Sequence, residues 1–285
     1  MYSRPVAIGN RSYGTERKHM RIIDPHVHMY SRVTDDYERM ALAGIEALVE
    51  PAFWLGQPRT NVGTFVDYFE HIISFETQRA KQFGIAHFNC ISLNPREANN
   101  TALAKEVLPA VEKFCQRETV VGIGEVGFDK VTDAEEDALR AQLLIAKKNN
   151  MPVLIHLPHQ FKKVGTERTL KVVTDIGLDP EKTLFDHNTE ETLPMFAGTK
   201  YWRGMTVYYV TKLSAERAAN LVEQYGTDRL LVNSSCDWGH SDPLAVPKVV
   251  NELKRRAVGA DVIEQLVFRN PIAFFGQSDK WTFQP

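Results

Sequence analysis

The chain has 285 residues, of which 43% are hydrophobic and 25% are charged. This balance is typical of a globular protein with an ample core, and the length fits a single α/β barrel. The formal net charge of −2 argues against a dedicated nucleic-acid binder, which usually carries a basic excess.

The cysteines and the apolar runs bear on compartment and domain organisation. Cys90, Cys115 and Cys236 are too few and too scattered for a disulfide framework, which favours a reduced, cytoplasmic protein. No apolar run reaches the ~18 residues that a membrane span needs, and residues 1–19 lack a signal-peptide core. We predict a polar N-terminal extension over residues 1–19 and one domain over residues 20–285.

From residue 20 onward, short β-branched runs alternate with longer amphipathic segments, which is the pattern of repeated βα units. Eight runs are predicted as strands, over residues 22–24, 46–50, 85–91, 120–124, 152–156, 183–186, 204–210 and 230–233. Helices are predicted between and after them, over residues 36–43, 64–83, 101–116, 133–149, 167–176, 190–196, 214–225, 247–256 and 261–268. This order predicts a (β/α)8 TIM barrel, with a doubly wound sheet as the alternative.

The first predicted strand ends in a pair of histidines. In an extended chain, residues i and i+2 point to the same side, so His26 and His28 can direct two imidazoles at one point. Such a pair is typical of half a metal site.

Further candidate ligands follow the later strands. Active sites of such barrels lie at the carboxyl ends of the strands. At those ends the sequence places Glu125 after strand 4, His156 at the end of strand 5, His187 after strand 6 and Asp237 after strand 8. Each could be a structural residue by itself. Their shared register predicts a site for one or two divalent metals.

Several motifs resemble those of TatD-type hydrolases, which are metal-dependent TIM barrels of the amidohydrolase superfamily. The resemblance covers roughly residues 20–276 and rests on His26-Val-His28 and on three longer runs: GIGEVGFD (122–129), QLLIA (142–146) leading to PVLIH (152–156), and NPIAFF (270–275). The segment EPAFW (50–54) also resembles a branch of predicted hydrolases associated with Ebo-type gene clusters.

The chain departs from the TatD pattern around the substrate. Leu157-Pro158-His159 stands where TatD enzymes tend to have an arginine, and the segments after His187 and around Asp237 also differ. The resemblance thus implies a shared metal cage with altered substrate contacts, and deoxyribonuclease activity is disfavoured.

The resemblance also implies roles for the candidate ligands. One metal would be held by His26, His28 and Asp237, the second by His156 and His187, with Glu125 bridging the two. Asp237 would serve as the catalytic base. The nitrogen-rich set suits zinc, manganese, iron or nickel better than magnesium.

Other residues near these ligands carry weaker hypotheses. Asp24 is a candidate to orient an imidazole, or a structural residue at the strand end. Glu50, Trp54, His159 and His240 are candidate substrate contacts, with a structural ion pair, core packing or plain exposure as alternatives. His19, His71 and His87 are interpreted as structural or surface residues.

The run GIGEVG over residues 122–127 matches the dinucleotide fingerprint GxGxxG. That fingerprint should open a helix at once, whereas FDKVT (128–132) intervenes here, so no nucleotide cofactor is expected.

The leading hypothesis is a metal-dependent hydrolase of a small-molecule ester, phosphoester, lactone or amide. The alternatives are a TatD-type deoxyribonuclease and a catalytically idle, metal-binding scaffold of a biosynthetic pathway. The oligomeric state is not readable from the sequence.

Overall fold

The structure is a computed structural model that describes residues 20–284, and it contains eight parallel strands that follow one another in chain order. They are β1 (Ile22–Asp24), β2 (Ile45–Pro51), β3 (Ala86–Ile91), β4 (Val120–Gly127), β5 (Val153–His156), β6 (Thr183–Asn188), β7 (Trp202–Thr206) and β8 (Leu230–Asn233). A doubly wound sheet would place later strands on the other side of β1. The sequential order confirms the predicted (β/α)8 barrel.

Helices surround the strands as α1 (Thr34–Leu42), α2 (Val62–Glu70), α3 (Thr77–Gln82), α4 (Thr101–Phe114), α5 (Asp133–Lys148), α6 (Lys162–Ile176), α7 (Ala215–Tyr225), α8 (Ala245–Arg255), α9 (Ala260–Glu264) and α10 (Asn270–Phe275). Two short π-helical segments, His71–Glu76 and Gln265–Arg269, join α2 to α3 and α9 to α10. The single helix predicted over residues 64–83 is therefore one helical rod with a widened turn inside it. The predicted extension over residues 1–19, with His19, lies outside the described residues.

Two strands differ from their predicted bounds by more than two residues at one end. β4 continues to Gly127 instead of ending at Gly124, because Val126 and Gly127 pair with β5. The prediction for β7 started two residues late and ended four residues late. Its chain leaves the sheet after Thr206 because the backbone N–H groups of Thr211 and Lys212 both donate to the carbonyl of Tyr208, which closes a turn.

The helix predicted over residues 190–196 was wrong. Only a short 3₁₀ turn, Leu193–Phe196, stands between β6 and β7. Pro194 lies near the start of that turn and has no N–H to extend a helix back toward residue 190. The Thr192 hydroxyl oxygen also accepts the backbone N–H of Thr189, which favours a local turn over a helix.

The seam between β8 and β1 is joined at its carboxyl end. The Ser235 N–H donates to the carbonyl of His26 at 2.8 Å, and the His28 N–H donates to the carbonyl of Cys236 at 2.9 Å. These two bonds fix the segment that carries both histidines beside the segment that leads into Asp237.

The opposite end of the barrel is filled with apolar side chains. Ile23, Val121, Leu154, Leu184 and Leu231 form one buried cluster with residues of the C-terminal segment, namely Phe268, Phe274, Phe275 and Trp281. The motif over residues 270–275 therefore serves the fold, and the polar residues are left for the carboxyl rim. No helix among residues 20–284 is both long enough and apolar enough to cross a bilayer.

Glu135 organises the connection between β4 and α5. Its buried carboxylate accepts backbone N–H groups from Lys130 and Val131 at 2.8–3.1 Å, as well as from Asp129 and Thr132. Thr132 caps the helix in return, and the two residues form a capping box. The connection after the strand of Glu125 thus depends on one buried charge.

We predict that Glu135→Ala lowers the free energy of unfolding by about 2–4 kcal/mol, because several N–H groups lose a charged acceptor. Urea unfolding followed by circular dichroism measures the change. Asp137→Ala, at an exposed position of the same helix, should stay within about 0.5 kcal/mol of the parent protein. Equal effects of the two substitutions would contradict this account.

Candidate metal centre and rim cavity

Five strands bring the predicted ligands to one rim of the barrel. The side chains come from the residues after β1 (His26 and His28), from within β4 (Glu125), from the end of β5 (His156), from β6 (His187) and from the residues after β8 (Asp237). The carboxyl ends of parallel strands share one edge, so this convergence follows from the topology.

The two histidines after β1 face each other. The Nε2 atoms of His26 and His28 are 3.1 Å apart, and His26 Nε2 lies 3.7 Å from Glu125 Oε2. The His28 ring stacks on Phe53 with 3.9 Å between ring centroids, which fixes its plane. Among the described residues, His28 Nδ1 has no hydrogen-bond partner.

Glu125 lies at the centre of the cluster. Its Oε1 accepts a hydrogen bond from the Asn94 amide at 3.1 Å. Its Oε2 is 3.1 Å from His156 Nδ1 and 3.4 Å from His187 Nε2. Gly127 permits this approach of β4 to β5, since a Cβ at that position would lie 2.2 Å from the carbonyl oxygen of His156.

The His187 ring is oriented by a hydroxyl group. Its Nδ1 is 2.6 Å from the Thr206 Oγ1, which is also 2.8 Å from the Asn233 Oδ1. Because the Thr206 hydroxyl donates its hydrogen to Asn233, its oxygen accepts a hydrogen bond from Nδ1–H of His187. The proton of the neutral ring is then on Nδ1, and the lone pair on Nε2 faces Glu125. His187 has a φ of +66°, in the left-handed region that non-glycine residues rarely adopt.

Asp186 contacts two candidate ligands, and the sequence pattern assigned it no role. Its Oδ2 is 2.6 Å from His26 Nδ1, and its Oδ1 accepts the backbone N–H of His187 at 2.6 Å. Asn233 donates to both carboxylate oxygens at 2.9 and 3.0 Å. Gly204 leaves room for this carboxylate, because a Cβ there would lie 2.2 Å from Oδ1. The signal available in the sequence was an acidic residue directly before a candidate ligand, at the end of a strand.

In the part of the chain that the structure describes, Asp24 does not bond to an imidazole, and Glu50 bonds to structural partners instead of facing a substrate site. Asp24 Oδ1 accepts the backbone N–H groups of His26 and Ser234, so it holds the backbone and not an imidazole. Glu50 is bonded to His87 Nε2 at 2.9 Å and to the backbone N–H of Tyr30 at 2.9 Å. These contacts match the structural alternatives that the sequence left open for both residues.

Asp237 is held by its own loop and by two residues outside it. Its Oδ1 accepts from the Tyr208 hydroxyl at 3.2 Å and from the Gly239 N–H at 2.7 Å. The Arg32 guanidinium donates to its carbonyl oxygen at 2.8 Å. The carboxyl group borders the same cavity as Glu125, His156 and His187.

We call the opening above the cluster the rim cavity. It has a volume of about 390 Å³, and its lining includes Glu125, His156, His187 and Asp237 together with Phe53, Trp54, Asn94, Arg96, His159, Tyr208, Lys212 and Trp238. Trp54 and His159 therefore lie where a substrate contact was predicted. His240 is exposed and does not line the rim cavity, so the alternative of plain exposure describes it better.

The donor set suits a cation. His26, Glu125 and His187 each offer an atom within 4.8 Å of the other two, and all three side chains are buried. Burial raises the pKa of Glu125, but the surrounding imidazoles outweigh this effect and hold its pKa well below the usual range. Burial also holds the pKa of His28 and of His187 well below normal. A divalent metal binds a neutral imidazole and an ionised carboxylate, which are the forms that these shifts favour for His28, His187 and Glu125.

Comparisons with known proteins agree with this geometry. The model of the family described as TatD related DNase matches residues 23–276. A protein of Methanocaldococcus jannaschii described as an uncharacterized metal-dependent hydrolase is 29% identical over 258 residues, which are 89% of this chain and 99% of that protein.

Solved structures are similar as well. A TatD-like protein from Archaeoglobus fulgidus aligns with a TM-score of 0.74 and 26% identity, over 89% of this chain and 99% of that one. A phosphotriesterase homology protein from Escherichia coli, with phosphate in its active site, aligns with a TM-score of 0.66 over 90% of this chain and 99% of that one. Its identity of 14% supports the shared fold alone.

We predict that Asp186→Asn weakens metal binding by about 10–100-fold, because His26 loses the carboxylate that fixes its ring and raises its basicity. Competition with a chromophoric chelator measures the affinity. Asp24→Asn is the matched control, since Asp24 bonds to backbone N–H groups and to Ser234 instead of an imidazole. Burial raises its pKa to about 7, so that asparagine resembles its protonated form. A loss as large in Asp24→Asn as in Asp186→Asn would refute the role given to Asp186.

Proposed function

The chain belongs to the TatD family of metal-dependent hydrolases, and we propose that its substrate is a small molecule with an ester, phosphoester, lactone or amide bond. The observation that carries this proposal is the buried Glu125 carboxylate among the imidazoles of His26, His156 and His187, at the floor of a cavity of about 390 Å³. A cavity of that volume suits a small ligand.

We propose that His26, His28, Glu125, His156, His187 and Asp237 hold one or two divalent metal ions. A bound ion would supply Lewis acidity and an activated water at neutral pH. The choice among zinc, manganese, iron and nickel follows from the nitrogen-rich ligands and stays a prediction.

The remaining steps fall to the chain's own groups. Asp237 is the proposed base, which takes the proton of the attacking water and delivers it to the leaving group. The Tyr208 hydroxyl and the Gly239 N–H hold Asp237 in place through its Oδ1. Asn94 holds Glu125 in the same way, through Oε1, and this leaves Oε2 directed toward the histidines.

A deoxyribonuclease is the second candidate, since the matched family is described as TatD related DNase. Salt-sensitive cleavage of DNA that is lost in His26→Ala would favour it over a small-molecule hydrolase. A scaffold without turnover is the third. It would retain bound metal and stay inactive across a broad panel of esters, lactones and amides.

We predict that removal of metal by a chelator abolishes hydrolysis of an ester and lactone panel, and that re-added divalent metal restores it. Elemental analysis of protein purified without chelator identifies the ion. Glu125→Gln should lower kcat/KM by about 10²–10⁴-fold, because the proposed metal site would lose a charged ligand.

The matched control for this experiment is Glu50→Gln. Glu50 is a second buried carboxylate at a strand end, and it contacts His87 instead of the rim cavity. It should retain turnover close to that of the parent protein. Metal-independent turnover, or full activity in Glu125→Gln, would rule out the proposed function.

A further inference from the structure

Lys212 is a buried cation in the wall of the rim cavity. It follows β7 in the turn closed on Tyr208, and only 7% of its surface is exposed. Together with His159 and Thr211 it separates the rim cavity from a second cavity, which is also lined by Lys162 and Arg217.

The ammonium group of Lys212 makes no hydrogen bond or ion pair within residues 20–284. Other cations around the two cavities have partners: Arg96 pairs with Asp129 at 3.2 Å, Arg217 pairs with Glu190 at 2.6 Å, and Lys162 donates to the His187 carbonyl at 2.9 Å. Burial of most of this side chain without a counter-ion disfavours the charged form and lowers the pKa of Lys212. An unpaired cation of this kind is typical of a binding site in which the ligand supplies the negative charge.

Three carboxylates raise the pKa of Lys212 through their charge, but each is bonded to another group. Glu125, Asp186 and Asp237 act on it electrostatically. Each of these is already bonded to other groups: Glu125 to His156, Asp186 to His26 and Asp237 to Tyr208. A metal bound among them would neutralise the same charges, so Lys212 is not required to balance them.

The position of Lys212 is fixed relative to the proposed base. Its backbone N–H donates to the Tyr208 carbonyl at 2.8 Å, and its ammonium lies 5.3 Å from the centre of the Tyr208 ring. The hydroxyl of that ring bonds to Asp237. The cation and the proposed base are therefore held by one tyrosine.

We propose that Lys212 binds an anionic oxygen group of the substrate, either a phosphate or a carboxylate, next to the bond that is cleaved. This inference rests on the proposed function and narrows its substrate class to anions. Part of the lining is aromatic, with ring centroids of Trp54 and Trp238 5.8 Å apart and Trp238 44% exposed. That part would accept an uncharged, planar portion of the same molecule.

The test uses three phosphate esters with one leaving group and different charges. They are diethyl p-nitrophenyl phosphate, which is neutral, ethyl p-nitrophenyl phosphate, which carries one negative charge, and p-nitrophenyl phosphate, which carries two near neutral pH. In Lys212→Met we expect KM for the two anions to rise about 10–100-fold, because an ion pair is lost. KM for the neutral ester should change little, and Lys212→Arg should retain part of the preference for anions.

A second pair of substrates separates phosphate from carboxylate recognition. The pair is p-nitrophenyl acetate, which is neutral, and mono-p-nitrophenyl succinate, which carries a carboxylate.

Lys163→Met is the matched control, since it removes a lysine charge at an exposed position outside the rim cavity. Its KM values should equal those of the parent protein. An equal rise for charged and neutral esters in Lys212→Met would assign Lys212 a structural role and overturn the inference. KM values unchanged both for the anionic phosphate esters and for the succinate ester would overturn it as well.

Binding of inorganic phosphate and of acetate to the metal-loaded protein provides a readout that does not need turnover. Calorimetry should show binding of at least one of the two anions that weakens at least about tenfold in Lys212→Met. If neither these esters nor the wider panel of esters, lactones and amides is hydrolysed, the proposed function fails, and this titration still decides on Lys212. Absence of binding to the parent protein, or equal binding to both proteins, overturns the inference. Lys212→Gln replaces Lys212→Met if the latter does not fold.

Discussion

A carboxylate buried among imidazoles is the constraint on which the carboxyl rim depends. Glu125 is 1% exposed, and burial holds the pKa of the neighbouring His187 well below its usual value. Burial of an isolated carboxylate is costly unless a cation accompanies it. The surrounding groups serve this arrangement: Asp186 and Thr206 fix the donor directions of His26 and His187, and Asn94 fixes the carboxylate itself. The metal-dependent chemistry of the family follows from that requirement.

Most of the fold could be predicted from the sequence, because the alternation of β-branched runs and amphipathic segments reports burial directly. β1 and β8 were predicted with their observed bounds. The helix expected over residues 190–196 and the extra length given to β7 were wrong, because local turns at Thr192 and Tyr208 compete with regular structure. Such competition depends on tertiary neighbours that periodicity does not describe.

The candidate metal ligands could be predicted, since each stands at a strand end. The residues that orient these ligands could not be predicted. Asp186 directs the His26 imidazole although Asp24 is closer to it in sequence, and only the packing of β6 against β7 and β8 reveals the difference. The burial of Lys212 could not be predicted from the sequence for a related reason. A lysine in a polar turn is usually exposed, and its burial follows from where the turn folds.

Anomalous diffraction at the absorption edge of the metal, from crystals of protein purified without chelator, tests the central claim most directly. We expect a peak about 2.0–2.2 Å from Glu125 Oε2 and from imidazole nitrogens of the histidine cluster. The account would be contradicted by a cluster without a peak in which the Lys212 ammonium binds Glu125 directly. In that case a lysine would supply the positive charge that we assign to a metal ion.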